Sequence, residues 1–190
     1  MALPQALRVL TDPVECGPVT LALPQDVQTE TFDYPLDFFR PHVRRFRAPE
    51  PDAEELAEVA AAIAKSKRPL ILAGGGVKYA LAEKALARFA ETHGIPVSET
   101  QAGKGSLAFD HPLNAGAIGV TGTAAANDLA RDADLVIAVG SRLGDFATGS
   151  RALFPQARLV QLNVGAFDAD RKSTRLNSSH VSESRMPSSA

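Results

Sequence analysis

From Asp52 onward the apolar positions alternate between two spacings. Asp52 and Glu55 make an N-cap and capping-box pattern. Leu56, Val59, Ala60 and Ile63 then mark one face of a helix ending near Lys67. A short apolar run, Leu70, Ile71 and Leu72, reads as a strand stopped by Gly74, Gly75 and Gly76. Leu81, Ala85, Leu86 and Phe89 line a second helix, capped by Gly94. Ile95, Pro96 and Val97 form a short strand, and a glycine-rich loop follows. Residues 124–131 are helical, with Thr121 or Thr123 as cap. Residues 135–139, all apolar, are the strongest strand signal; a short helix near 147–154 leads to another strand at 159–163. Helices alternating with apolar strands imply an α/β fold. Its expected form is a parallel, Rossmann-like, doubly wound sheet covered on both faces. The last strand should feed another helix, so this domain, assigned to residues 52–169, reads as incomplete at its C-terminus.

The flanks differ. Residues 1–28 read as the end of one unit, with an apolar strand at 17–24 between Gly17-Pro18 and Pro24. Its sheet neighbours are expected to precede this chain. Residues 29–51 carry Pro35, Pro41, Pro49 and Pro51 and read as an interdomain linker. Phe32, Tyr34, Phe38 and Phe39 are expected either to pin that linker to a neighbouring surface or to serve as ordinary core aromatics. From Asp170 hydrophobic periodicity stops and serine dominates. Residues 170–180 and 184–190 resemble, in order, two arms of a sequencing adapter, so 170–190 is expected to be a non-native, disordered tail.

Composition narrows the function classes. The 45% hydrophobic content supports a real core, and the net charge of −2 without a basic, aromatic-laced stripe argues against nucleic acid. Arg44, Arg45 and Arg47 are the basic cluster, read as a solvated linker. Cys16 is a lone cysteine without a motif. No apolar run reaches the roughly 20 residues that span a bilayer, and no signal peptide is visible. A cytoplasmic protein is expected.

Candidate chemistry sits where strands run into glycine. Gly74, Gly75 and Gly76 could cradle a phosphate through backbone amides, or form a purely structural tight turn. They are not a dinucleotide fingerprint, because Tyr79 stands where the third glycine belongs. Ser141 and Arg142 follow the best strand, at the end where such sheets place ligands. Arg142 could grip a phosphate or carboxylate, or simply pair with Asp145 to close the loop. Lys104 lies between Gly103 and Gly105, suited to a ligand, an interdomain contact or open surface. His42, His93 and His111 stand apart from any nucleophile and read as structural. Neither metal-ligand spacing nor a catalytic residue can be assigned.

Taken in order, these segments resemble the central domain of thiamine-diphosphate enzymes of the acetolactate-synthase type. The resemblance covers about residues 15–169 and rests on 17–27, 67–76, Gly103-Lys104-Gly105, His111-Pro112, 119–127 and 133–145. Segments 23–28, Tyr34-Pro35, 99–105 and 119–123 are most similar to the inositol-catabolism branch, which opens a cyclohexanedione ring by hydrolysis. Thr121 and Gly144 depart from the histidine and acidic residue expected of acetolactate synthases. The family implies thiamine diphosphate and Mg²⁺, bound by a glutamate of a pyrimidine domain and a Gly-Asp-Gly…Asn motif of a diphosphate domain. Neither motif occurs here: Glu15 and Glu30 lack the glutamate context, and no Gly-Asp-Gly exists. The resemblance therefore implies an inactive fragment whose partners are the missing domains of a homodimeric or homotetrameric parent. An acetolactate synthase or other carboligase remains open, as does an FAD- or nucleotide-binding module using Gly74, Gly75, Gly76, Ser141 and Arg142.

Overall fold

A computed structural model describes residues 2–14, 16–41, 50–150 and 152–165. The chain divides into two compact units, Met1–Ala48 and Pro49–Ala190. The adapter-like tail, His42, the arginine cluster and Glu15 lie outside the described residues.

The first unit holds α1 (Ala2–Leu10), α2 (Gln25–Gln28) and a 3-10 turn at Leu36–Phe39. The strand expected at 17–24 does not form; these residues have no regular secondary structure. An apolar extended segment becomes a strand only against a neighbour, and no strand is assigned among the described residues of this unit.

In the second unit α3 (Ala53–Lys65) begins as the sequence suggests. Asp52 Oδ1 accepts from the amides of Glu54 and Glu55 at 2.9 and 3.1 Å. Its buried stripe is Val59 and Ala62, with Ile63 packed alongside, while Leu56 and Ala60 stand in solvent. The chain then runs through β1 (Pro69–Ala73), α4 (Gly75–Tyr79), α5 (Glu83–His93) and β2 (Val97–Glu99). Beyond them come β3 (Asn114–Ala117), α6 (Ala124–Asp132), β4 (Leu135–Val139), α7 (Asp145–Thr148) and β5 (Arg158–Leu162).

All five strands are parallel, in the order β3-β2-β1-β4-β5. Alternate side chains enter two cores. Ile71, Ala73, Val97, Ile137 and Val160 meet α3, α4 and α5 through Val59, Val77, Leu86 and Ala90. Leu70, Leu72, Val136, Ala138 and Leu159 face Ala130 of α6, together with Ile118 and Leu143. Burial of each large aliphatic chain contributes about 1.5–3 kcal/mol. The fold is thus the expected doubly wound α/β sheet.

Several local expectations are corrected. The helix expected from Leu81 starts only at Glu83, and a separate α4 takes the first turn after β1 and buries Val77. Leu81 is left exposed at φ 52°, and α5 buries Leu86 and Ala90. β3 comes from the glycine-rich loop. The helix near 147–154 shrinks to α7, since Gly149 turns left-handed at φ 52° and stops it. Of the two cap candidates, Thr123 caps α6, its Oγ1 accepting from the Ala126 amide at 3.2 Å. Gly94 ends α5 in the left-handed conformation, as expected.

Candidate functional site

In this strand order the connections diverge between β1 and β4. From β1 the chain proceeds toward β2 and β3, and from β4 it proceeds toward β5. The crevice beyond their carboxyl ends is where open α/β sheets receive ligands. Gly74, Gly75, Gly76, Ser141 and Arg142 all follow these two strands.

Here the two loops meet backbone to backbone. The Gly74 amide donates to Val139 O at 2.8 Å and the Gly76 amide to Gly140 O at 2.9 Å. A Cβ on Gly74 would lie 2.3 Å from Gly140 O, and one on Gly76 would lie 2.6 Å from Gly140 Cα. A Cβ on Gly140, whose φ is 60°, would lie 2.5 Å from Gly76 Cα. Both loops need glycine because their main chains touch. Two of the three glycine amides are thereby committed to protein carbonyls and turned away from any anion. Gly75 is looser: the nearest atom to an added Cβ is Ala102 Cβ at 3.2 Å.

The neighbouring side chains mostly serve the loops that carry them. Ser141 is buried, and its Oγ accepts from the Leu143 amide at 3.2 Å. Asn163 Nδ2 donates to Ser141 O at 3.2 Å, tying the loop after β4 to the end of β5. Arg142 and Asp145 are exposed on this loop. The Glu99-to-Gly105 stretch folds back on itself. Glu99 Oε1 accepts from the Leu107 amide (2.9 Å), Thr100 Oγ1 from the Gly103 amide (3.1 Å), and Ser106 Oγ donates to Gly103 O (2.6 Å). Gly103 lies directly over Ala73 O, where a Cβ would come within 2.1 Å. Lys104 is exposed on this rigid turn, and Lys78 Nζ donates to Gly105 O at 3.4 Å.

The histidines do not join this region. His93 packs against Phe89, with ring centroids 4.6 Å apart and the rings tilted by 51°. Half-buried His111 has Nε2 3.0 Å from Glu91 Oε1, and its Nδ1 accepts from the Leu113 amide at 3.1 Å. That acceptor role places the proton of the neutral ring on Nε2. Two anchoring side chains escaped the sequence reading. Asn127 clasps Gly119, and Asp134 gathers Ser66 Oγ with the amides of Lys67 and Arg68. The Ser66 bond leads the effects that hold the Asp134 carboxyl below its ordinary value. Asn and Asp close to strand or helix boundaries were the available signal. Glu55 is shifted the other way, its carboxyl raised by desolvation and then by Asp52 and Glu58.

The described residues contain no group of three His, Cys, Asp or Glu side chains able to hold a metal ion. What the site does have is direct main-chain contact between the loops that follow β1 and β4. Residues 56–177 match the family described as thiamine pyrophosphate enzyme, central domain. The chain belongs to this family. The match runs past Asp170, where the sequence reading begins the non-native tail.

The chain is 48% identical over 170 residues to a 3D-(3,5/4)-trihydroxycyclohexane-1,2-dione hydrolase of Geobacillus thermodenitrificans. It is 49% identical over 172 residues to a protein of the same name from Clostridium perfringens. A third, from Bacillus cereus, is numbered 1 in its name and is 46% identical over 172 residues. In each case 90% of this chain is covered but only 27% of the relative. The chain therefore spans about a quarter of the length of the curated relatives it matches. Thiamine diphosphate is the cofactor implied by the family, but the described residues do not fit it. Among the described residues there is no acidic cluster for a diphosphate-bound cation, and the Gly74 and Gly76 amides are already bonded.

Proposed function

We propose that the chain is the central-domain portion of a thiamine-diphosphate- and Mg²⁺-dependent hydrolase that opens the ring of 3D-(3,5/4)-trihydroxycyclohexane-1,2-dione in inositol catabolism. The observation carrying this reading is 46–49% identity across 90% of the chain to the three relatives of that name. Residues 1–28 are the end of a pyrimidine-binding domain, 29–51 the linker, 52–169 the central domain and 170–190 a non-native tail. The missing cofactor domains belong to the same parent chain, which works in the cytoplasm as a homodimer or homotetramer. Among the described residues, no helix is long and apolar enough to cross a membrane.

In this reading the chain's own residues supply form rather than chemistry. The glycine contacts at the β1 and β4 ends lock the loops, and the closed turn at 99–107 presents Lys104 on a fixed support. Ring opening itself is carried by cofactor chemistry on the other domains. The test is product analysis of the full-length protein on the cyclic dione and on pyruvate. Thiamine-dependent opening of the dione is expected. Acetolactate formation from pyruvate without dione hydrolysis would replace the reading with a carboligase.

A further inference from the structure

Residues 32–39 carry an organised but uncovered aromatic cluster. Tyr34 lies 5.2, 5.3 and 5.9 Å by ring centroid from Phe32, Phe38 and Phe39, and Phe38 lies 5.3 Å from Phe39. The turn beneath is fixed by the Phe38 amide donating to Pro35 O at 2.9 Å and by an Arg40–Asp37 ion pair at 3.0 Å. Yet Phe32 is 70% exposed, Leu36 84% and Phe39 67%. Their own unit cannot cover them, because Ala6 is its one buried residue among those described. Rings held in place before contact lose little freedom on docking, as interface anchors require.

We propose that this cluster docks on the parent-chain domain closed by residues 1–28, a body lying mostly outside these 190 residues. The inference rests on the domain reading above. Chain reach selects the occupant. Phe32 is four residues beyond Gln28, so it stays within about 14 Å of it at 3.3–3.6 Å per residue. From Phe39 to Ala53 at the start of α3 the tether allows roughly 50 Å by the same measure. The cluster is therefore bound closely to the body that owns residues 1–28 and only loosely to the second unit. The relatives, of which this chain spans 27%, supply the length for such a body.

The experiment uses Cys16→Ser, which removes the exposed native thiol, combined with Leu36→Cys. Maleimide labelling is timed in the 190-residue chain and in the full-length protein, each against its Cys16→Ser background. We expect fast labelling in the chain and at least tenfold slower labelling in the full-length protein. A benzophenone maleimide at position 36 should crosslink to peptides preceding present residue 1. As a second variant, Phe39→Ser should lower the melting temperature of the full-length protein but not that of the chain. Equal labelling rates, or crosslinks elsewhere, would overturn the proposal. So would slow labelling already in the chain: concentration-independent protection would assign the cluster to its own second unit, and concentration-dependent protection to a second copy. Loss of the functional reading is separable, because a full-length protein inactive on the dione can still protect position 36.

Discussion

Asn127 and Gly119 hold each other twice. The Gly119 amide donates to Asn127 Oδ1 and Asn127 Nδ2 donates to Gly119 O, both at 3.0 Å. The pair fastens α6 to the loop after β3, where Gly119 at φ 108° passes close to Phe146 O. Asn127→Ala strips both partners in one step. Because the site is half-buried, a loss of about 1–3 kcal/mol is expected, read as a lower urea midpoint. Asn127→Asp keeps the acceptor but sets a carboxylate against Gly119 O, so its midpoint should fall between those of wild type and the alanine variant.

Alanine at the three consecutive glycines should separate packing from ligand binding. Gly76→Ala forces a methyl into Gly140 Cα and should cost about 3 kcal/mol or more, or abolish soluble expression. Gly75→Ala brings a methyl to 3.2 Å from the Ala102 methyl, a tight contact that a shift of a few tenths of an ångström relieves, and gains helix propensity at the start of α4, so its stability should change by less than about 1 kcal/mol. Denaturation midpoints decide the matter. Equal tolerance at both positions would mean that the two loops are not in main-chain contact.

The same commitment of amides bears on nucleotides. With Gly74 and Gly76 bonded to Val139 and Gly140, titration of the chain with FAD or NAD should give no saturable signal. Saturable binding, followed by fluorescence or calorimetry, would revive the nucleotide-module reading.

Asp134 sets a pH dependence. Its folded carboxyl lies below the ordinary 3.8, held down by the Ser66 hydroxyl and then the Lys67 amide. The charged form binds those donors, so its stabilisation is complete above about pH 4 and disappears as pH falls through the lower folded value. The stability difference between wild type and Asp134→Asn should therefore be level at neutral pH and shrink only in acid. Urea midpoints measured from pH 7 to pH 3 would show this.

Gln161 offers a stabilising change. It is 1% exposed on β5, and among the described residues neither side-chain amide atom has a partner. Gln161→Met removes two unsatisfied groups at similar volume, and a gain of about 1 kcal/mol is expected in the denaturation midpoint.

The alternation of α3, β1, α5, β4 and β5 was legible because their apolar spacing is dictated by burial in two cores. Asp52 and Gly94 were legible as caps because capping chemistry is local. β3 was not, since Asn-Ala-Gly-Ala has little strand character and pairs only because β2 presents a free edge. Residues 17–24 failed in the opposite sense, with strand character but no partner. The role of Gly74 and Gly76 was undecidable from sequence because it depends on the main chain of Gly140, far along the chain. Asp134 likewise acts on Ser66, Lys67 and Arg68, which no local pattern connects to it.

The strand order also has a consequence for synthesis. β1 emerges early yet lies at the centre, with β2 on one side and β4 on the other. Until Leu135–Val139 leaves the ribosome, one full edge of the most apolar ladder is open to any other strand. A nascent chain stalled before β4 should thus be far more prone to aggregate than one released after β5, whose cut leaves every inner strand paired. The vulnerable interval in the life of this domain is the time taken to translate from Ala73 to Val139.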